Sequence, residues 1–269
     1  METDAQKLTV LELPRSPLAP GVSPVRIRYR EYGNGAPLLF LHGGWGYEVY
    51  PFDRQIAALA SGRRIIVPDR SGYGGSSPVS RLDPDFHQAA ADETLAVIDA
   101  LDLDRPALWG HSDGAVIAAL VGLRAPHLVS RLVLEAMHLY PHKPSSRDFF
   151  AATARDPDSV GQRVATVLAR DHGRDWRRVV ARHSEAWLRL DSEQPAGADF
   201  YSGRLRELRV PAFLVHGAKD PRTEPGELAA LSAQLEHADR ELLPEAGHSP
   251  HSERATADTV ARLAARFLA

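Results

Sequence analysis

The chain has 269 residues, of which 25% are charged, and a formal net charge of −3 at pH 7. Because its acidic and basic residues are interspersed, we expect neither a nucleic-acid interface nor a polybasic membrane anchor. The chain contains no cysteine, which excludes disulfides, a thiolate nucleophile and a cysteine-based metal site.

In the N-terminal half, short apolar strands alternate with helical stretches. The N-terminus lacks the apolar region of a secretory signal, and no apolar run reaches the roughly 18 residues of a membrane span, so we expect a cytoplasmic protein. Lys7–Leu13 and Val25–Tyr32 are predicted as edge strands, the second with one solvent-facing side of arginines. Further strands are predicted at Pro37–Leu41, Arg63–Val67, Pro106–Trp109 and Arg131–Ala136, with helices at Phe52–Ala60, Asp85–Leu101 and Gly114–Arg124.

The alternation of strands and helices stops in the region from His138 to Glu207, where only short helical segments are predicted. The strand pattern resumes after it. Strands at Val210–His216 and Arg240–Leu243 and a closing helix at Thr256–Leu268 then follow. The alternation predicts an α/β fold with a mostly parallel sheet, helices on both faces and a core formed by residues 1–137 and 208–269. Residues 138–207 are predicted to form a helical lid, because long insertions are usually functional; the alternative is that they only cover the sheet.

The strongest local motif is Gly110-His111-Ser112-Asp113-Gly114, a G-x-S-x-G sequence between a predicted strand and a predicted helix. In this context Ser112 is expected on a sharp, strained turn at the strand end, where neighbouring side chains would clash. The backbone N–H of Asp113 and the helix N-terminus would then point to the same space, where a developing oxyanion is stabilised. The motif therefore predicts that Ser112 is a nucleophile.

A serine nucleophile needs a base, and the base needs an acid that orients it. His248 lies between the last predicted strand and the last helix, which places it at the carboxyl end of the sheet. Asp220 follows the strand Val210–His216, so the chain order is Ser, Asp, His. Glu135, at the end of another strand, is the alternative acid. We favour Asp220 because its loop is adjacent to the predicted histidine loop.

The other candidate site residues follow strands or lie in the insertion. In the turn His42-Gly43-Gly44-Trp45-Gly46, Gly44 is the first choice for the second oxyanion donor and Trp45 the next. His111, His138 and Trp187 are expected to contact substrate. Five further histidines are expected to be ordinary surface or packing residues: His87, His127, His172, His183 and His237.

Together these segments resemble the α/β-hydrolase family, and the likeness runs from about Val25 to the C-terminus. The motifs that carry it are HGGWG, DRSGYGGSS, GHSDG, HGAKD and GHSPH. The resemblance implies triad roles for Ser112, Asp220 and His248, oxyanion donors at Gly44 and Asp113, and no cofactor. Many members carry Met or Gln where this chain has Asp113, which is interpreted either as a helix cap or as a carboxylate that binds a substrate ammonium group.

The predicted function is a serine hydrolase that cleaves a small, largely apolar carboxylic ester, lactone or thioester through an acyl-enzyme. It is expected to act on a small molecule without a metal, nucleic acid or membrane, as a monomer or a homodimer. A fold does not determine the reaction that a protein catalyses. Three alternative reactions therefore remain for the same fold: C–C bond hydrolysis, a cofactor-free lyase or oxygenase reaction, and perhydrolysis. A non-catalytic ligand receptor that keeps the triad is the other alternative.

Overall fold

The computed structural model describes residues 7–195 and 197–269. The first six residues of the predicted core, and Ala196 within the predicted lid, lie outside the described residues. Among the helices described, none combines the length and apolar character that a membrane span requires.

The described residues form one sheet of eight strands. Their bounds are β1 Lys7–Leu13, β2 Val25–Tyr32, β3 Ala36–Leu41, β4 Arg63–Pro68, β5 Ala107–His111, β6 Leu132–Glu135, β7 Ala212–Gly217 and β8 Asp239–Leu243. The order across the sheet is β1-β2-β4-β3-β5-β6-β7-β8. β2 pairs antiparallel with β1 and β4, whereas the remaining neighbours are parallel. The predicted fold class is therefore confirmed.

Eight α-helices accompany the strands in the described part of the chain. Their bounds are α1 Asp53–Leu59, α2 Phe86–Ala100, α3 Asp113–Arg124, α4 Arg147–Arg155, α5 Gln162–His172, α6 Trp176–Glu193, α7 Glu227–Gln234 and α8 Ala257–Leu268. Side chains alternate across the buried strands, so Leu38 and Phe40 face α1 and α8, while Leu39 and Leu41 face α2 and α3. Both faces of the sheet are thus covered by helices.

One expectation for β2 was wrong, and a second holds only in part. It is an interior strand, because β1 and β4 flank it on either side. Its arginines do not all face solvent either: Arg26 is exposed, but Arg30 is buried and its guanidinium lies 2.8 Å from Asp69. Asp69 follows β4 and also pairs with Arg28. Arg28 and Arg30 are thus accommodated by ion pairs with the buried Asp69, which the alternating pattern of β2 could not reveal.

Between β6 and β7, the chain leaves the sheet and forms α4, α5 and α6. Phe150 of α4 and Trp187 of α6 stack with ring centroids 5.5 Å apart, and both belong to the apolar cluster on the α2–α3 face of the sheet. The helical character predicted for this region is therefore observed. These helices lie over the carboxyl ends of the parallel strands, where the predicted site residues are found.

Candidate active site

Ser112 lies on a strained turn between β5 and α3. Its backbone has φ 55° and ψ −120°, a conformation that side-chain-bearing residues rarely adopt. The flanking glycines permit the turn, since a Cβ at Gly110 would overlap the Gly114 backbone and one at Gly114 would overlap the Leu41 carbonyl. The close approach of these three backbone segments is the physical reason for glycine at both positions.

A hydrogen-bonded chain of three side chains starts at this serine. His248 Nε2 lies 3.0 Å from Ser112 Oγ, and His248 Nδ1 lies 2.9 Å from Asp220 Oδ2. Asp220 is at the end of the turn after β7, and His248 lies in the loop between β8 and α8. The structure thus brings together the three residues that the sequence assigned to a triad.

The surroundings of the chain favour a neutral imidazole beside a charged carboxylate. Burial lowers the pKa of His248, although its hydrogen bond to Asp220 acts in the opposite direction. Burial alone would raise the pKa of Asp220, but hydrogen bonds from His216 and His248 hold it well below its usual range. The second oxygen, Asp220 Oδ1, accepts a 2.9 Å bond from the backbone N–H of Arg222. A neutral His248 is the form that can accept a proton from Ser112.

Three backbone amides near the nucleophile lack acceptors. Among the described residues, the N–H groups of Gly44, Trp45 and Asp113 donate no hydrogen bond to the protein. The glycine turn lies close to the elbow, because a Cβ at Gly43 would be 3.2 Å from Ser112 Cβ. Trp45 has φ 68°, so this turn is strained as well. Unpaired amides in two turns that approach each other next to the nucleophile suit the stabilisation of an oxyanion.

His111 and His138, both predicted to contact substrate, differ in their surroundings. His111 Nε2 lies 3.0 Å from the His248 carbonyl and 3.1 Å from Ser249 Oγ, so this ring supports the histidine loop. Burial, followed by the charges of nearby histidines, lowers its pKa to about 3. His138 Nε2 lies 3.5 Å from Ser112 Oγ, and its ring is parallel to that of His248. His138 therefore faces the nucleophile directly.

Glu135 is not placed to act as the alternative acid. Its carboxylate bonds His251 Nδ1 at 2.7 Å and Trp109 Nε1 at 3.1 Å, and it has no contact with His248 in the described chain. Ligand atoms of His111, Glu135 and His251 lie within 4.8 Å of one another, as in a metal site. However, both ring nitrogens of His251 already bond to Glu135 and the Tyr50 carbonyl. This cluster is explained as a hydrogen-bond network that fixes the loop after β8.

Asp113 has neither of the two roles considered from the sequence. Its side chain is fully buried and does not cap α3; instead Oδ1 lies 3.0 Å from His87 Nε2 and Oδ2 lies 2.8 Å from His183 Nε2. Burial would raise the pKa of Asp113, but the two imidazoles lower it well below its usual range. A carboxylate enclosed in this way is not free to bind a substrate ammonium group.

His87 and His183, expected to be ordinary surface or packing residues, both bond the Asp113 carboxylate next to the nucleophile. Both are buried, and His183 from α6 touches the glycine turn so closely that a Cβ at Gly44 would overlap its ring. His172 was placed in the same group, yet its Nε2 lies 2.7 Å from the Trp45 carbonyl. No local sequence signal distinguished these residues, since their partners are more than 25 positions away in the chain.

A pocket of about 460 Å³, including the space open to solvent at its mouth, lies in front of Ser112. Gly44 and Trp45, the predicted oxyanion donors, form part of its wall, together with His138 and Trp187, for which substrate contact was predicted. The other lining residues are Tyr50, His111, Ser112, Lys143, Ser146, Phe149, Phe150, His183, Arg222 and His248.

Comparisons with known proteins define the class. Residues 38–262 match the model of the alpha/beta hydrolase family, and the chain belongs to this family. It is 27% identical to serine hydrolase BPHL of Homo sapiens over 253 residues, which cover 92% of this chain and 84% of that protein.

Two further similarities concern bacterial proteins. The chain is 26% identical to a 2-hydroxy-6-oxononadienedioate/2-hydroxy-6-oxononatrienedioate hydrolase of Paraburkholderia xenovorans, over 93% of this chain and 92% of that protein. The enol-lactonase structure from Burkholderia xenovorans superposes with a TM-score of 0.69 and 22% identity, covering 91% of this chain and 96% of that one. This structural likeness concerns the fold.

Proposed function

We propose that this protein is a serine hydrolase that cleaves a small, largely apolar carboxylic ester, lactone or thioester through an acyl-enzyme. The observation that supports the proposal is the hydrogen-bonded chain Ser112–His248–Asp220 at the base of a pocket. His248 accepts the Ser112 proton as Oγ attacks the carbonyl carbon. His248 then donates the proton to the leaving group, and the same imidazole activates the water that releases the acyl group.

The remaining roles in this proposal belong to the backbone and the insertion. The N–H groups of Gly44 and Asp113, with Trp45 as an alternative, hold the oxyanion during both steps. Trp187 and Phe150 provide an apolar wall for the acyl or alcohol part of the substrate. Residues 138–207 act as the lid, because they contribute this wall and cover the nucleophile. The cytoplasmic location expected from the sequence is part of the same proposal.

Fluorophosphonate labelling tests the activated serine directly. We expect the wild-type protein to gain the mass of one adduct, Ser112→Ala to gain none, and His248→Ala to react much more slowly. Circular dichroism of each variant serves as the control for folding. The absence of an adduct on a folded wild-type protein would contradict the proposal and would favour a non-catalytic receptor.

C–C bond hydrolysis is the second candidate for the same site. It is favoured by the similarity to the Paraburkholderia protein and by 34% identity to a 2-hydroxymuconate semialdehyde hydrolase of Pseudomonas over 46% of this chain. A C–C substrate must be protonated on carbon before cleavage, and His138 beside Ser112 is a second imidazole within reach. Turnover of simple esters and of a vinylogous diketone, compared for wild type and His138→Phe, separates the two reactions.

A further inference from the structure

Two cationic side chains line the pocket, and their surroundings differ. Lys143 is buried, and its ammonium group has three acceptors: the two carboxylate oxygens of Glu227 and the Arg222 carbonyl. An ammonium group has three N–H donors, so Lys143 has none left for a ligand. Arg222 is half-buried, and in the described part of the chain no oxygen accepts a hydrogen bond from its guanidinium.

Other arginines in the interior of this protein have acceptors. Arg70 donates to the carbonyls of His42 and Gly43, and Arg182 donates to those of Gly72 and Val79. A guanidinium remains charged in proteins and offers five donors, so one without a protein acceptor has donors available for an anionic ligand. Arg222 lines the pocket that holds Ser112, and it also lines an outer groove together with Arg163 and Arg254.

The position of Arg222 is set by its surroundings before any ligand arrives. Its N–H bonds Asp220 Oδ1, its carbonyl accepts a bond from Lys143, and its guanidinium carbon lies 4.1 Å above the centre of the Phe149 ring. Burial lowers the pKa of Arg222, against the opposing influence of Tyr50 and Asp220. The cation is thus ordered and partly desolvated, two properties that strengthen binding of an anion.

We propose that Arg222 binds a carboxylate carried by the substrate, so that the natural substrate is a small ester, lactone or thioester with one anionic end. This inference rests on the proposed function of Ser112, because it names the substrate class of the same site. The apolar wall at Trp187 and Phe150 would contact the carbon chain between the reacting carbonyl and the carboxylate. A planar guanidinium suits a carboxylate because two parallel N–H···O bonds can form.

Matched substrates with and without the charge test this assignment. Monomethyl succinate, glutarate and adipate are compared with their dimethyl esters, by methanol release, for wild type, Arg222→Met and Arg222→Lys. For the preferred monoester we expect Arg222→Met to lower kcat/KM by at least about tenfold, mainly through KM. The dimethyl ester should change by less than about threefold, and Arg222→Lys should be intermediate because it keeps the charge without the planar fork.

Arg163→Met is the matched control, because Arg163 is exposed and lies with Arg222 in the outer groove but does not line the Ser112 pocket. We expect this variant to keep the preference for the monoester. Equal loss of both substrates in Arg222→Met, or no preference in the wild-type protein, would overturn the assignment.

A binding measurement separates this assignment from the proposed chemistry. Calorimetric titration of Ser112→Ala with the same monoesters should give a Kd that rises at least about tenfold when Arg222→Met is added. This result does not depend on turnover, so it can be positive even where fluorophosphonate labelling fails. An unchanged Kd would refute the carboxylate site whatever the labelling shows.

Discussion

Two aspartates in this protein each bond two imidazoles, but their surroundings give them different roles. Asp220 bonds His248 and His216, while Asp113 bonds His87 and His183. Both carboxylates have a pKa held well below the usual range by their histidines. The chemistry available to each cluster therefore depends on which group the second nitrogen of each imidazole contacts.

In the Asp220 cluster, the His248 nitrogen that does not bond the aspartate, Nε2, lies 3.0 Å from Ser112 Oγ. In the Asp113 cluster, the corresponding nitrogens, Nδ1 of His87 and Nδ1 of His183, are buried without a hydrogen-bond partner among the described residues. The Asp113 cluster instead joins three helices, because its members lie on α2, α3 and α6. An Asp–His pair thus becomes a candidate for proton transfer only where its imidazole also faces a reacting atom.

The largest effect is expected for Asp220→Asn. The amide cannot stabilise an imidazolium at His248 and favours the wrong tautomer, so kcat should fall by about a thousandfold to ten-thousandfold. Ester turnover is measured well below the thermal unfolding midpoint of the variant, because this substitution also takes an acceptor from a buried imidazole and lowers stability. If kcat survives within tenfold, the proposed role of Asp220 is wrong.

Glu135→Gln is the control that distinguishes the two candidate acids. Its carboxylate contacts His251 and Trp109 rather than His248. We therefore expect lower stability, with kcat of the folded protein within about tenfold of wild type. A loss of kcat as large as that of Asp220→Asn would return Glu135 to consideration.

In contrast to Asp220→Asn, Asp113→Asn should change the free energy of unfolding more than it changes kcat. One imidazole loses its acceptor in a buried site, which costs about 1–3 kcal/mol of the free energy of unfolding. Denaturant titration measures this loss, and kcat should fall by less than about tenfold. Asp158→Asn is the matched control, because Asp158 pairs with Arg177 on the exposed surface and should have little effect.

The stability difference between wild type and Asp113→Asn should also depend on pH. The folded pKa of Asp113 is below its ordinary value of 3.8, so its carboxylate stabilises the fold fully above that value. This contribution is lost as the pH falls through the folded pKa. The two titration curves should therefore converge below about pH 4. A difference that is constant down to lower pH would show that the carboxylate charge contributes nothing.

Much of the Asp220 cluster could be predicted from sequence, because strand ends carry positional information. In a mostly parallel sheet, the loops that follow successive strands meet at one edge. Ser112 follows β5, Asp220 follows β7 and His248 follows β8, so their convergence follows from topology. The elbow also has its own local requirement for glycine at positions 110 and 114.

The Asp113 cluster could not be predicted in the same way. His183 lies in the insertion, and the path of an insertion over the sheet depends on packing rather than on strand topology. Its contact with Asp113 spans 70 positions of sequence. The burial of Arg30 was missed for the same reason, since it depends on Asp69 after a different strand. Pairs of polar residues inside a fold require three-dimensional information to be recognised.

The smallest effect on labelling is expected when one supporting imidazole is removed from each aspartate cluster. These two variants also compare the clusters most directly. In His216→Phe, Asp220 keeps its bonds to His248 and the Arg222 N–H, so fluorophosphonate labelling should slow by only about fivefold, equivalent to about 1 kcal/mol. In His87→Phe, labelling should be unchanged while the unfolding midpoint falls, because among the described residues this ring bonds Asp113 and not the Asp220–His248 pair. If both variants slow labelling equally, the two clusters are coupled through the pocket, and the separation between a reactive and a structural aspartate does not hold.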